Sequence, residues 1–226
     1  MTTTSPSKSL RTWDAARQAA YRQQAGQGTL HFTFLLDASP SMLGQYADNL
    51  RTAFNRYLAW LKAHAGPMSL VEVHCFSTEI TRGAAQPLSL VAPLTSQTYD
   101  PRQGDGTALY RALGETCTHL DAQGQRILVV FTDGMDNRSD AFGWTVSAVQ
   151  TLLTTLQAER QLLAVFLGAF DEALEVAATL GFAPGNTLMF SSDQIPDAFK
   201  KLTTATQRYL ATAPAARKAL ATGGIF

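Results

Sequence analysis

Stretches of almost continuous apolar residues recur along the chain from residue 30 onward. They are residues 31–36 (HFTFLL), 70–76 (LVEVHCF), 127–131 (ILVVF), 162–167 (LLAVFL) and the shorter 187–190 (TLMF). A strand that reads as a solid apolar run is covered on both faces, as in a parallel sheet. These runs therefore predict buried strands of a mostly parallel sheet.

Segments with apolar residues at spacings of three and four lie between these runs, and that spacing is typical of amphipathic helices. The predicted helices lie within residues 46–61, 109–120, 146–156, 174–180 and 195–210. Alternation of strands and helices indicates an α/β fold with a doubly wound, Rossmann-like sheet flanked by helices. Residues 80–94 contain prolines and no helical period, so they predict a short edge strand with loops, and an antiparallel orientation is one alternative.

Composition divides the chain into three parts. Residues 1–28 form a polar arm in which Trp13 belongs to a helical stripe. We expect a helix packed on the domain there, with a partner-binding helix as the alternative. Residues 29–210 form the domain, and the alanine-rich tail, residues 211–226, is expected to be frayed.

Charge and cysteine content narrow the possible functions. The 226 residues are 46% hydrophobic and 16% charged, and 18 basic residues balance 18 acidic ones. A net charge of zero argues against nucleic acid as the main partner. Cys75 and Cys117 lie outside any zinc-ligand pattern and are expected to be reduced and buried. The chain shows neither a signal-peptide pattern nor an apolar run of the ~20 residues that a spanning helix needs, so we expect a cytoplasmic protein without a membrane partner.

Polar residues follow the apolar runs at the positions where chemistry is expected. Residues 37–41 (DASPS) follow the first run, residues 132–134 (TDG) follow 127–131, and residues 104–107 (GDGT) precede a predicted helix. In open α/β sheets, ligand sites form beyond the carboxyl ends of the strands. We therefore expect these loops to converge on one edge of the sheet.

The oxygen atoms of these loops suit a hard divalent cation. Carboxylates and hydroxyls match Mg²⁺ or Mn²⁺, with Ca²⁺ less favoured, and no thiolate or imidazole competes for softer metals. An ion held by few protein groups keeps water in its remaining positions. It can therefore take a partner's carboxylate as its last ligand. The candidate metal ligands are Asp37, Ser39, Ser41, Thr107 and Asp133.

This arrangement resembles the metal-ion-dependent adhesion site (MIDAS) of von Willebrand factor A (vWA) domains, over roughly residues 30–209. By that resemblance, Ser39, Ser41 and Thr107 correspond to the hydroxyl ligands of the family, and Asp37 and Asp133 to its acidic ligands. The resemblance extends to stand-alone bacterial vWA proteins, including those of the tellurite-resistance and stress-associated type. The resemblance implies a cytoplasmic scaffolding role, and it also implies that ligand capture moves the last predicted helix, residues 195–210.

The sequence departs from the family pattern in two places. Pro40 separates the two serines where glycine is common, and Asp105 stands where a glycine is more usual. Proline fixes its own φ and restricts the preceding residue, so Pro40 predicts either a stiffened loop or a tilted Ser39. We expect Asp105 to face water, with added charge beside the metal as the alternative.

The remaining polar candidates are weaker. Asp136 and Asn137 follow the TDG motif, where ordinary turn chemistry is favoured over a role at the rim of the site. None of the histidines belongs to a recognisable nucleophile motif, and we expect structural or surface roles for them. They are His31, His64, His74 and His119.

These observations favour a metal-dependent protein-binding module without catalytic residues, whose partner offers an acidic side chain or a C-terminal carboxylate. The alternative is a Mg²⁺-dependent phosphate-ester hydrolase or phosphotransferase, since aspartates at strand ends also hold catalytic magnesium. Neither a P-loop nor a GxGxxG motif follows the first predicted strand, which weakens that alternative. A third hypothesis is a structural domain whose polar loops bind no metal.

Overall fold

The protein is described by a computed structural model that covers residues 30–103, 105–120, 124–159 and 162–226. The predicted arm, with Trp13, lies outside the described residues. The strands are β1 Leu30–Asp37, β2 Leu70–Phe76, β3 Ile80–Arg82, β4 Gln86–Pro87, β5 Gln125–Thr132, β6 Leu162–Gly168 and β7 Thr187–Met189. The helices are α1 Gln45–His64, α2 Leu109–His119, α3 Val146–Glu159, α4 Ala173–Thr179, α5 Ile195–Ala211 and α6 Pro214–Gly223.

The strands form one sheet in the order β3-β2-β1-β5-β6-β7, with β4 also paired to β2. Strands β2, β1, β5, β6 and β7 are parallel, whereas β3 and β4 pair antiparallel with β2. The predicted doubly wound α/β fold is therefore confirmed, and the predicted edge strand is two short antiparallel strands. Because β1 lies between β2 and β5, with Leu36 opposite Phe131, the carboxyl ends of β1 and β5 are neighbours.

Both faces of the sheet are covered, as the solid apolar strands predict. On one face the Phe34 ring packs edge-on against Phe54 at 5.1 Å and against Tyr57 at 5.9 Å, both of which lie on α1. On the other face Leu128 and Val130 belong to the apolar core that α2, α3 and α4 complete. Each such fully buried side chain stabilises the fold by roughly 1.5–3 kcal/mol.

A buried ionic cluster interrupts the second of these faces. The Nε2 atoms of His31 and His74 lie 3.2 and 3.4 Å from the carboxylate of Glu72. Burial alone would raise the pKa of Glu72, but the hydrogen bonds and charges of both histidines hold that pKa well below its usual range. His31 and His74 lie in strands, as expected, but no local pattern predicts that His31 contacts Glu72 on the neighbouring strand.

The prediction that the tail is frayed is wrong. Residues 214–223 form helix α6, and hydrogen bonds hold the residues that follow this helix in place. The Asn186 side chain donates a 2.6 Å hydrogen bond to the carbonyl of Ala221 and accepts one of 3.0 Å from the Ile225 amide. A Cβ on Gly224 would lie 2.6 Å from the Cα of Gly185, so this close approach requires glycine. Local composition could not predict this contact, because it depends on Asn186, which lies 35 positions before Ala221.

No helix within the described ranges combines the length and the apolar character needed to cross a bilayer.

Candidate metal site

Asp37 is the last residue of β1, and its side chain is fully buried. Its Oδ1 accepts a 2.7 Å hydrogen bond from the Ser39 amide, and its Oδ2 accepts one of 2.6 Å from the Thr132 hydroxyl. Thr132 ends the neighbouring strand β5. The Asp37 carboxylate is thus held between its own loop and the next strand.

Pro40 fits the loop without displacing Ser39. It begins a 3₁₀ turn, Pro40–Met42, and Ser39 has φ −67° and ψ 162°, the extended conformation that a residue before proline prefers. The Ser39 Oγ lies 3.0 Å from the Ser41 Oγ. The two hydroxyls are therefore adjacent in space, although Pro40 separates the two serines in the sequence.

Asp133 joins this group from the end of β5. The Ser41 hydroxyl donates a 2.8 Å hydrogen bond to Oδ1 of Asp133. A hydrogen-bonded chain thus runs from Ser39 through Ser41 to Asp133, and Asp37 is tied to the residue before Asp133.

Thr107 is held by the loop that follows β5. Its amide donates a 3.0 Å hydrogen bond to Oδ1 of Asn137, and the Asn137 amide donates one of 2.9 Å to the Thr107 carbonyl. Gly106 permits this approach, since a Cβ there would lie 3.0 Å from Asn137 Oδ1. Across the described residues the Thr107 hydroxyl has no hydrogen-bond partner, so its oxygen is available to a ligand. Gly104, at the start of the predicted GDGT loop, lies outside the described residues.

Asp136 and Asn137 do more than the predicted turn chemistry. Asp136 Oδ1 accepts hydrogen bonds from the amides of Arg138 and Ser139 at 3.2 and 3.0 Å, as an Asp in a turn does. Its Oδ2 also accepts a 2.8 Å bond from the Tyr110 amide in the first turn of α2. Both residues therefore fasten the Thr107 loop to the TDG loop. Asp105 is exposed, as expected, and accepts a hydrogen bond from the Thr78 hydroxyl.

The electrostatics of the two carboxylates favour a cation. Burial raises the pKa of Asp37 to about 6, opposed by hydrogen bonds from Thr132 and Ser39 and assisted by the charge of Asp133. Burial also raises the pKa of Asp133. In the described part of the chain, neither carboxylate forms an ion pair. Two desolvated carboxylates without a positive partner are costly, and a divalent ion would compensate both.

Two residues of the site were missed by sequence reasoning. Thr132 precedes Asp133 in the TDG motif, so its position beside the carboxylates was a usable signal. The Tyr99 hydroxyl donates to the backbone carbonyl of Asp37 from 62 residues further along the chain, and no local pattern marks it.

The described ranges contain no group of three or more His, Cys, Asp or Glu residues placed to hold a metal. The five candidate ligands do not form such a group, because they combine two carboxylates with three hydroxyls. Oxygen donors alone match Mg²⁺ or Mn²⁺ better than softer metals.

The fold recurs in solved structures of several kinds of protein. The ArnB paralog VWA2 from Sulfolobus acidocaldarius is 15% identical over 76% of this chain and 44% of its own, with a TM-score of 0.55. The chain has the von Willebrand A fold. No family model matches it, and neither does any curated protein.

Two further structures share this fold. The pilus adhesin SpaC from Lactobacillus rhamnosus GG, in an open conformation, is 13% identical over 77% of this chain and 29% of its own, with a TM-score of 0.62. Proximal thread matrix protein 1 from the mussel byssus, with a zinc-occupied MIDAS motif, is 15% identical over 78% of this chain and 47% of its own, with a TM-score of 0.54. This chain spans less than half the length of each of the three. At identities this low, the similarity to these structures shows the fold alone.

Proposed function

We propose that this protein is a metal-dependent protein-binding module in which Asp37, Ser39, Ser41, Thr107 and Asp133 hold one Mg²⁺ or Mn²⁺ ion. The observation that carries the proposal is the pair of desolvated carboxylates, Asp37 and Asp133. They are joined through the Ser39 amide and the hydroxyls of Ser39 and Ser41, without a cationic partner in the described residues. When bound, the ion would supply an electrophilic centre that accepts a partner's carboxylate as a ligand.

The residues of the chain orient this site from three loops. Thr132 fixes one oxygen of Asp37, the Ser39 amide fixes the other, and Asn137 fixes the backbone of Thr107. Such outer partners typically change metal affinity by about 10–100-fold when removed. The zinc-occupied MIDAS motif of the mussel protein supports a divalent ion for this type of fold.

The expected partner is a protein that offers an acidic side chain or a C-terminal carboxylate. We also propose that the module acts in the cytoplasm, as a scaffold rather than an enzyme. Among the described residues of the site, both carboxylates are assigned to the metal, so neither is free to act as a general base, which favours binding over hydrolysis of phosphate esters.

The test is capture from an extract of the source cells on immobilised protein, with Mg²⁺ or with EDTA, followed by elution with EDTA. The wild-type protein should retain a defined protein in Mg²⁺ and release it in EDTA, and Asp37→Asn should retain none. The matched control is Asp105→Asn, which removes an exposed charge near the site and should behave as wild type. Equal retention in EDTA, or by Asp37→Asn, would overturn the proposal. Magnesium-dependent hydrolysis of p-nitrophenyl phosphate, absent from Asp37→Asn, would support the enzyme alternative instead.

A further inference from the structure

A cavity of about 550 Å³ lies beside α5, between that helix, the edge strand β7 and the C-terminal segment. None of the candidate metal ligands lines it. Pockets that bind small molecules typically enclose roughly 300–1,000 Å³ and combine apolar walls with a few polar groups. The cavity therefore has the size of a small-molecule site rather than of a protein interface.

The floor of the cavity is apolar and closely packed. Phe190, Ala198 and Ile225 line it, and they are 7%, 2% and 2% exposed to solvent respectively. Ile225 is held in place because its amide donates hydrogen bonds to the Asn186 side chain and to the Gly185 carbonyl, at 3.0 and 2.9 Å. The fold therefore holds the floor of the cavity in place without a bound ligand.

The rim of the cavity is cationic. Lys201, Thr204 and Arg208 follow one another at helical spacings of three and four, so they share the face of α5 that borders the cavity. Lys200 adds a third positive charge, and Asp197 is the acidic side chain of the lining. Among the described residues, neither lysine nor Arg208 forms an ion pair. The rim thus carries an excess of exposed, unpaired positive charge above an apolar floor.

We infer that this cavity is a second binding site, which takes a small amphipathic anion with a carboxylate head and an apolar tail. The tail lies on the floor formed by Phe190, Ala198 and Ile225, and the head lies at the rim beside Lys201 and Arg208. This site is separate from the proposed metal site and does not need a metal.

Octanoate is the probe, titrated calorimetrically into the full chain in EDTA. Because a carboxylate could also bind the proposed metal, EDTA separates the two sites. We expect saturable binding of one octanoate per chain in EDTA. Acetate, which has no tail, and octylammonium, whose charge is reversed, should show no saturable binding.

Three variants locate the site. Lys201→Gln combined with Arg208→Gln should weaken octanoate binding about tenfold, since each exposed ion pair contributes up to about fivefold. Thr204→Trp should fill the cavity and abolish binding. Arg56→Gln removes an exposed charge from α1 and should leave the affinity unchanged. Melting temperatures establish that each variant is folded. Absence of saturable binding in EDTA, equal affinity of the double variant, or equal binding of octylammonium would overturn the inference.

Discussion

The Ser41 hydroxyl donates a 2.8 Å hydrogen bond to the carboxylate of Asp133, which lies 92 residues further along the chain. This contact joins the loop after β1 to the loop after β5. It places a hydroxyl oxygen and a carboxylate oxygen side by side, as shared coordination of one cation requires.

Replacing Ser41 by alanine tests this contact. Ser41→Ala should weaken Mn²⁺ binding about tenfold or more, because a candidate ligand and the hydrogen bond that orients Asp133 are both lost. Ser41 is exposed, so the free energy of unfolding should change by no more than about 0.5 kcal/mol. The measurement is a calorimetric Mn²⁺ titration with Ser96→Ala, an exposed serine in another loop, as the control. Unchanged Mn²⁺ affinity in Ser41→Ala would remove Ser41 from the site.

Asn137 should matter for metal binding through Thr107 rather than as a ligand. Asn137→Ala should weaken Mn²⁺ affinity about tenfold, because the Thr107 loop loses its side-chain hydrogen bond. When Asn137→Ala is combined with Thr107→Ala, it should weaken Mn²⁺ affinity little further, since the hydroxyl that Asn137 positions is already gone.

Asn55 provides a matched control for this prediction. Its side chain bonds the amide and carbonyl of Leu94 at 2.7 and 2.9 Å, which is the same kind of loop clamp away from the site. Asn55→Ala should destabilise its loop and leave Mn²⁺ affinity unchanged. If the effects of Asn137→Ala and Thr107→Ala are fully additive, Asn137 does not act through Thr107.

Glu72 should make stability depend on acid pH. Its pKa is held below the unfolded value of 4.5, so its contribution to stability is present above about pH 4.5 and is lost as the pH falls further. Glu72→Gln should lower the free energy of unfolding by roughly 2 kcal/mol at neutral pH, the scale of a hydrogen bond to a charged group, and flatten the decline in acid. The measurement is urea unfolding at a series of pH values, with the exposed Glu172→Gln as control. A steeper acid decline in Glu72→Gln than in wild type would contradict the assigned cause.

Phe199 links α5 to the end of β5. Its ring lies 6.0 Å from that of Phe131, which directly precedes Thr132 and Asp133, and 6.1 Å from that of Tyr57. We expect Phe199→Ala to destabilise the fold by about 3–5 kcal/mol and to change Mn²⁺ affinity as well. Phe182→Ala, in the core on the opposite face, should destabilise comparably without changing Mn²⁺ affinity. Equal Mn²⁺ affinity in wild type and Phe199→Ala would show that α5 does not influence the site.

The sequence was most informative where local patterns decide the structure. Solid apolar runs identified β1, β5 and β6 to within two residues at each end, and the aspartates at the ends of β1 and β5 followed from the strands. Contacts between distant segments could not be predicted in this way. Tyr99 reaches Asp37 across 62 residues, and Asn186 fixes Ile225 across 39. The pairing of His31 with Glu72 depends on the register between β1 and β2, which the periodicity of a single strand does not specify.

The central claim is that Asp37 and Asp133 hold one divalent cation together. The most direct measurement is calorimetric titration of purified, EDTA-treated protein with Mg²⁺ and with Mn²⁺, repeated on Asp37→Asn and Asp133→Asn. We predict saturable binding of one ion per chain in the wild type and none in either variant, with Asp105→Asn unchanged. Binding that persists in both variants, or a wild-type protein that binds neither ion, would contradict the claim.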